Sequence, residues 1–366
     1  MIRVLHMIGS LNIGGSQAMI MSLYRKINRN KVQFDFIIDH PDQIFFAKEV
    51  KSLGGKIYFM PTFKGKNILQ IKKAWELFFK EHPEYKILHI HIRSYASIFI
   101  PIAKKYNVVT IIHSHSTSNG KGLSAIIKNI MQYPLRFQAD YFMACSDKAG
   151  KWLFGTKVLL DKKYMIVPNA IDSNKFSFSL DIRNKIRKKL NVSNAFIVGH
   201  VGRMAEPKNH IFLIEVFIKI LQKRKDAILL LIGDGELRTK IEKIIQKNEI
   251  SEKVIILGDR SNVHEYYQAM DIFLFPSLWE GLGIATIEAQ ASGLPCIISD
   301  MVPHEVKICT DLVKFVSLEK GAKYWANIAL NSIIKNRIGR AEDISHAGYD
   351  IFYNADKLQN FYVRLL

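Results

Sequence analysis

Two glutamates, Glu280 and Glu288, lie eight positions apart in the segment from Pro276 to Pro295. The apolar run DIFLFP before them predicts a buried parallel strand, and IATIEAQAS predicts a helix start. One carboxylate is therefore expected on a loop at the carboxyl end of a strand, and the other about a turn into the next helix. Ligands bind at this edge of an open α/β sheet.

The glycine-rich turn Gly281–Gly283 between the two glutamates indicates a ligand site. Glycine lets a ligand approach the backbone, and a helix N-terminus offers free N–H groups to an anion. Two carboxylates beside an anion site favour a ligand that is both phosphorylated and rich in hydroxyls, such as a nucleotide sugar. The alternative is a solvated helix start with ordinary acidic residues.

A second candidate anion loop, GHVGRMAEPKN, follows the first strand of the second half and precedes a helix. Gly202 loosens the strand end, and Arg203 and Lys208 are five positions apart. Two cations beside a helix N-terminus suit a diphosphate. The loop lacks the GxxxxGK[ST] order of a P-loop. An ordinary loop with surface charges is the alternative.

The first half contains a weaker candidate loop for an anion or a sugar, GSLNIGGSQ, in which Gly14 and Gly15 precede a helix. It lacks the GxGxxG order, so a dinucleotide site is disfavoured, and a tight strand-to-helix turn would explain it as well. In the second half, GDGELR follows a strand and predicts a turn near the base of a bound nucleotide.

Histidines cluster in the first half, in LHIHIRS and HSHS. Two His-x-His pairs could supply four nitrogens to a metal, but no carboxylate or thiol is set beside them, which favours no metal site. His113 is expected at a strand end facing a cleft, where it could donate a hydrogen bond to a substrate. No Asp-x-Asp pair is present to hold a catalytic divalent ion.

Strands and helices alternate throughout, which predicts an α/β protein with parallel sheets. The strand patterns form two sets, one on each side of a polar link near Pro168 and Asn169. We therefore expect two doubly wound domains and a final helical segment that packs back on the first. The expected ranges are 1–172, 173–345 and 346–366.

The net charge of +19 is concentrated in the first half, where residues 1–175 hold 26 Lys and Arg against 11 Asp and Glu. This field favours an anionic partner: a phospholipid surface, a pyrophosphate-bearing acceptor or nucleic acid. No nucleic-acid-binding motif is present, which argues against the last. Three scattered cysteines give no disulfide framework, and the N-terminus predicts a first strand instead of a signal peptide. Both features favour the cytoplasm.

Several segments together resemble the retaining glycosyltransferases of family 4. They are VPNAIDSNKF, GRMAEPKN, LIGDGELR, VIILGDRSNV and DIFLFPSLWEGLGIATIEAQASGLPCIISD. The first loop, HSHSTSNGKG and DYFMACSDKAGKWLFG are similar to the bacterial capsule and exopolysaccharide members. The resemblance implies the GT-B fold, in which two Rossmann-like domains face each other across a cleft, and a donor bound mainly by the second domain.

The resemblance also implies roles for individual residues. Arg203 and Lys208 would neutralise the donor diphosphate, Glu288 would hold the ribose hydroxyls, and Glu280 would hold the sugar hydroxyls. His113 would contact the sugar near the reacting carbon. The remaining donor contacts would come from loop and backbone positions: Gly14, Gly15, Gly202, Gly233, Leu257, Gly258, Gly281, Gly283 and Ile284.

We therefore predict transfer of a sugar, with retention, from a nucleoside diphosphate sugar, with UDP favoured. The acceptor would be a hydroxyl of a polyprenyl-diphosphate-linked glycan in capsule or exopolysaccharide synthesis. No cofactor or metal would be required. Alternatives are a nucleotide-sugar epimerase, a basic nucleic-acid-binding protein and an inactive sugar-nucleotide sensor.

Two amphipathic segments with lysines, 63–80 and 120–137, are expected to rest on an anionic membrane, at the inner face of the cytoplasmic membrane. In the first, Ile68, Ile71, Trp75 and Phe78–Phe79 would form the apolar face. The alternative is that both helices cover the sheet of the first domain.

Overall fold

The computed structural model describes residues 1–12, 14–116, 122–334 and 336–366. The chain divides into two compact units, one made of residues 1–170 and 351–366, the other of residues 171–350. Every strand pattern identified in the sequence forms a strand, because each is a short apolar run of the kind that a sheet covered on both faces requires.

The first unit holds seven parallel strands in the order β3-β2-β1-β4-β5-β6-β7. These strands are β1 Ile2–Met7, β2 Val32–Ile38, β3 Ile57–Phe59, β4 Ile87–Ile90, β5 Val109–Ser114, β6 Tyr141–Ala144 and β7 Tyr164–Ile166. Its helices are α1 Gly15–Lys26, α2 Ala47–Ser52, α3 Ile68–Glu81, α4 Ala96–Lys105, α5 Leu123–Gln132, α6 Leu135–Gln138, α7 Asp147–Phe154 and, at the end of the chain, α16 Ile351–Arg364.

The second unit holds six parallel strands in the order β10-β9-β8-β11-β12-β13. These strands are β8 Phe196–Val201, β9 Ala227–Ile232, β10 Val254–Ile256, β11 Ile272–Phe275, β12 Cys296–Ser299 and β13 Val313–Val316. Its helices are α8 Ser173–Phe176, α9 Leu180–Lys189, α10 His210–Lys223, α11 Arg238–Lys247, α12 Val263–Ala269, α13 Ile284–Ala291, α14 Gly321–Leu330 and α15 Ala341–His346.

Each sheet has an apolar cluster on both faces, as parallel sheets with helical crossovers require. The last helix, α16, belongs to the first unit. Its buried residues Ile351, Leu358 and Tyr362 join the cluster formed by α1 and the first strands. The side-chain oxygen of Gln359 also accepts a hydrogen bond of 2.9 Å from the backbone N–H of Asn28.

Helix α3 corrects one of the two predicted membrane segments. Ile71, Trp75, Phe78 and Phe79 are buried in the core of the first unit, where Trp75 stacks on Phe99 with ring centroids 4.3 Å apart. Four of the five residues predicted for the apolar face of 63–80 therefore cover the sheet and are not available to a bilayer, whereas Ile68 is 40% exposed. Within the described ranges, no helix combines the length and apolarity needed to cross a membrane.

Candidate functional site

The candidate site of the second unit lies where the strand order of its sheet reverses. Strands β8 and β11 are neighbours there, with Phe273 paired to Gly199. The loops that follow the two strands begin at the same edge of the sheet, which is the switch point at which open α/β sheets bind ligands. The backbone N–H of Leu278 donates to the carbonyl of Pro207 at 2.8 Å, so the two loops are in direct contact.

Lys208 and Glu280 form an ion pair across these loops, with 2.5 Å between Nζ and Oε1. Their side chains are 19% and 12% exposed. The lysine Nζ also lies 4.6 Å from the centroid of the Phe275 ring. A Cβ on Gly202 would lie 3.0 Å from the lysine Cε, so glycine at this position leaves room for the lysine stem. The lysine predicted to bind the diphosphate and the glutamate predicted to bind the sugar thus form one sheltered ion pair.

Arg203 lies on the same loop but in solvent. Its side chain is 73% exposed, and its Nη2 is 3.0 Å from Glu236 Oε2. Exposed ion pairs of this kind contribute little stability. Arg203 can therefore exchange its partner for an anionic ligand at small cost. Lys208, in contrast, would have to bind that ligand while it remains paired with Glu280.

Gly283 opens helix α13 in the left-handed conformation, with φ at 89° and ψ at 49°. A Cβ there would lie 3.2 Å from Val302 Cγ1, so both conformation and space favour glycine. No side chain of the described residues caps the helix, and an uncapped helix N-terminus attracts anions. Ile284 is the first residue of the helix, and no atom in the described ranges would contact a Cβ on Gly281.

A backbone hydrogen bond joins Gly233 and Gly258, two positions predicted to lie near the base of the nucleotide. The N–H of Gly233 donates to the carbonyl of Gly258 at 3.0 Å, while the N–H of Leu257 donates to Leu231. Gly233 has φ at 130°, and a Cβ there would lie only 2.2 Å from the carbonyl oxygen of Gly202. A side chain at Gly233 would therefore push the base-side turn away from the cationic loop.

Glu288, one turn into α13, is held by a tyrosine that the sequence analysis missed. The hydroxyl of Tyr267 donates to Glu288 Oε2 at 2.8 Å. Burial raises the pKa of Glu288 to about 7, although the Tyr267 hydrogen bond and the charge of Lys208 act in the opposite direction. Near neutral pH this carboxyl group is therefore close to its midpoint, as groups at functional sites often are.

We expect Glu288→Gln to stabilise the ligand-free protein at pH 8 but not at pH 4.5. The pKa in the folded state lies above the ordinary value of 4.5. The wild-type carboxyl therefore costs stability increasingly as pH rises from 4.5 to about 7. Because the carboxyl group is buried but Glu288 as a whole residue keeps intermediate exposure, we expect a gain of about 1–3 kcal/mol. Urea unfolding at the two pH values measures it.

Glu305→Gln serves as the control, because Glu305 is an exposed glutamate of the same unit. It should change the free energy of unfolding little at either pH. Equal effects of Glu288→Gln at both pH values would contradict the elevated pKa of Glu288.

Three further buried polar residues of the second unit were also missed, and the charge of Lys208 acts on two of them, His200 and His210. His200, His210 and Ser277 are almost completely buried. His200 Nδ1 donates to the carbonyl of Leu274 at 2.8 Å. Within the described residues, His200 Nε2, both ring nitrogens of His210 and the Ser277 hydroxyl make no hydrogen bond. Single polar residues inside apolar segments gave no signal in the sequence.

In the first unit, Gly14 and Gly15 begin helix α1, for which the described part of the chain supplies no side-chain cap. A Cβ on Gly14 would lie 2.5 Å from Gln17 Oε1, whereas no described atom is within 4 Å of one on Gly15. Gln17 Nε2 in turn donates to Ser10 Oγ at 3.3 Å. The start of α1 thus remains open to a ligand at Gly15. Ile13 lies outside the described residues.

His113 lies on β5 but is only 1% exposed. Its Nδ1 is 3.2 Å from His89 Nε2. Burial is the main reason that the pKa of His113 lies well below its ordinary value; neighbouring histidines lower it further, and the Val167 backbone opposes them. The ring is therefore neutral near pH 7. Its predicted contact with a sugar stays a prediction.

Two doubly wound parallel α/β units are the units from which GT-B proteins are built, and the second carries a cation–carboxylate pair at its switch point. Comparison with family models gives a match to Glycosyltransferase Family 4 over residues 13–175 and to Glycosyl transferases group 1 over residues 181–350. The chain therefore belongs to the family 4 glycosyltransferases, with one model matching each half. The predicted family and the predicted GT-B fold are confirmed.

Relatives and solved structures agree with this assignment. EpsF, a provisionally assigned glycosyltransferase of Bacillus subtilis (strain 168), is 32% identical, with 98% of this chain and 96% of EpsF covered. The Escherichia coli UDP-Gal:alpha-D-GlcNAc-diphosphoundecaprenol alpha-1,3-galactosyltransferase is 23% identical, with 85% and 84% covered. The Anabaena protein Alr3699/HepE, solved with UDP-glucose, is 15% identical and superimposes with a TM-score of 0.76. The superposition covers 100% of each chain.

Proposed function

We propose that this glycosyltransferase moves a sugar from a nucleoside diphosphate sugar, with UDP favoured, to a hydroxyl of a polyprenyl-diphosphate-linked glycan, with retention. The pathway would be capsule or exopolysaccharide synthesis. The observation that carries the proposal is the Lys208–Glu280 pair, in which Glu280 lies beside Gly283 at the start of α13 and the charge of Lys208 acts on Glu288. The UDP-glucose complex of HepE and the diphosphoundecaprenol acceptor of the Escherichia coli relative support the donor and acceptor classes.

In the proposed reaction, Lys208, Arg203 and the N-terminus of α13 stabilise the charge that develops on the leaving diphosphate. Glu280 and Glu288 accept hydrogen bonds from sugar and ribose hydroxyls, respectively. The acceptor hydroxyl attacks the anomeric carbon on the face from which the diphosphate leaves, and a donor phosphate oxygen takes the acceptor proton.

Turnover is expected to be independent of divalent metal. The basis is the pair of cations on one loop and a sequence without an Asp-x-Asp pair, since fixed positive charge can replace a metal ion at a leaving diphosphate. We expect full activity in excess EDTA, measured as sugar transfer per minute. A known metal-dependent transferase in the same buffer is the control. Complete loss that magnesium or manganese restores would contradict the prediction.

The experiment that tests the proposed reaction is a panel of nucleotide sugars. A donor that binds the folded state raises the thermal unfolding midpoint, and the donors found in this way are then incubated with and without a lipid-linked acceptor. Transfer only in the presence of acceptor supports the proposal. Conversion of the donor without any acceptor would favour the epimerase alternative, and binding without turnover would favour a sensor.

We also propose peripheral contact with an anionic membrane at the inner face of the cytoplasmic membrane, where a lipid-linked acceptor would be presented. Helix α5 carries this proposal together with the basic first half. Six large apolar side chains are 49% to 74% exposed here. Four lie on α5, namely Leu123, Ile126, Ile127 and Ile130, and two follow it, namely Tyr133 and Phe137. Within α5, the spacing of Leu123, Ile126, Ile127 and Ile130 places them along one helical face.

The remainder of this segment anchors α5 to the first unit. Ala125 is buried, and Ser97 Oγ donates to the carbonyl of Met131 at 2.8 Å. Lys128 is exposed beside the apolar residues, and basic residues of this kind favour an anionic interface. Lys121, at the start of the predicted segment, lies outside the described residues.

A further inference from the structure

Five histidines converge in the first unit, where β1, β4 and β5 are adjacent strands. His6, His89 and His113 lie on these strands, and His91 and His115 lie just beyond the ends of β4 and β5. The sequence showed two His-x-His pairs, but only the strand order brings them together and adds His6 from β1. His115 is the most exposed ring of the five.

Hydrogen bonds arrange the rings into two chains. In the first, His6 Nδ1 is 3.0 Å from His91 Nε2, and His91 Nδ1 is 2.8 Å from His115 Nε2. In the second, His89 Nε2 is 3.2 Å from His113 Nδ1. Both chains place a histidine ring at the carboxyl edge of the sheet, in His115 and His113, whose ring centroids are 4.1 Å apart.

The outer three rings have the geometry of a ligand set. One nitrogen from each of His91, His113 and His115 lies within 4.8 Å of the other two. His113 Nε2 is buried and makes no hydrogen bond of good geometry in the described part of the chain, although the Val167 backbone also acts on this ring. A buried imidazole nitrogen of this kind lacks the partner that a coordinated ion would supply.

We propose that His91, His113 and His115 bind a divalent transition-metal ion of the zinc class. Imidazole suits zinc, copper and nickel, whereas magnesium and calcium require oxygen ligands, and no carboxylate belongs to this set. Three histidines leave a fourth position for water or a ligand. The partial exposure of His115 provides the route of entry.

Binding requires a small opening between His91 and His115. Two nitrogens on one tetrahedral zinc ion, each about 2.0–2.1 Å from it, are roughly 3.3 Å apart. The 2.8 Å between His91 Nδ1 and His115 Nε2 must therefore widen by about 0.5 Å. His115, outside the strand, can make this movement.

His6 and His89, which lie on the strands, supply the hydrogen-bond partners that metal-binding histidines need. His6 contacts the second nitrogen of His91, and His89 contacts the second nitrogen of His113. The Tyr362 hydroxyl lies 2.5 Å from His89 Nδ1. Such partners fix the tautomer and orientation of a ligand, and their loss typically weakens metal binding by about 10–100-fold.

Zinc binding to the whole chain, stripped of metal by a chelator, tests the site by isothermal titration calorimetry. We expect one zinc ion per chain and no binding of magnesium. His115→Ala should weaken zinc binding at least about tenfold, and Tyr362→Phe, which removes no ligand, should also weaken it. His82→Ala is the matched control, because His82 belongs to the same unit but contacts Glu84 instead of the cluster. It should bind zinc as the wild type does.

Cobalt binding to the wild-type protein tests the geometry without any variant. We expect the intense visible absorption of tetrahedral cobalt(II), lost on addition of zinc. No saturable zinc binding, an octahedral cobalt spectrum, or a folded His115→Ala variant with wild-type affinity would each overturn the site. Because no substrate is present, failure here leaves the proposed transfer reaction untouched, and failure of the transfer reaction leaves the metal site untouched.

Discussion

Replacement of Ile126 and Ile130 by aspartate is expected to abolish binding to anionic vesicles. Both side chains lie on the exposed face of α5. Each loses roughly 1.5–3 kcal/mol of apolar burial and places a negative charge near an anionic surface, at about 1 kcal/mol more. The double variant should therefore lose on the order of 5–8 kcal/mol, which is more than about 1,000-fold in partitioning. Vesicle co-sedimentation measures it.

Leu69→Asp/Leu77→Asp is the matched control for this prediction. Both leucines are exposed on α3 of the same unit, so the variant adds the same charge and removes similar apolar surface. It should pellet with anionic vesicles as the wild type does. Wild-type binding should weaken as salt rises, because salt screens the attraction of the basic residues. Equal loss in both double variants would show that α5 is not the docking helix.

The contrast between α3 and α5 shows where sequence reasoning ends. Both segments have apolar residues at helical spacing beside lysines, so the pattern predicts an amphipathic helix in each case. Trp75 and Phe78 of α3 meet a sheet and other helices, whereas Ile126 and Ile130 of α5 meet none of the described residues closely enough to be buried. Periodicity identifies an apolar face, but the tertiary partner decides what covers it.

The strands could be predicted because each is a short apolar run, whose type depends mainly on its own residues. Their order in the sheets could not be predicted in this way. The pairing of β8 with β11 brings together Lys208 and Glu280, which are 72 positions apart. Likewise, the hydrogen bond from Tyr267 to Glu288 depends on the packing of two helices. No local pattern encodes either contact.

Lys208→Ala is expected to lower kcat/KM for the nucleotide-sugar donor by roughly 10²–10³-fold. The lysine Nζ is the sheltered cation at the switch point, and loss of one preorganised charge at a leaving group has this magnitude. The variant also leaves the carboxylate of Glu280, which is only 12% exposed, without its cation. Lys243→Ala is the control, since Lys243 is an exposed lysine of the same unit, and it should retain wild-type kinetics.

A double-mutant cycle with Glu280→Ala separates catalysis from stability. Breaking a sheltered ion pair by removing one partner destabilises a protein, and removing the second partner as well relieves the uncompensated charge. We therefore expect Lys208→Ala/Glu280→Ala to be more stable than Lys208→Ala alone. Its kcat/KM should remain at least as low, because both ligand contacts are absent. Recovery of turnover together with stability would show that the pair only supports the fold, and would remove it from the proposed donor site.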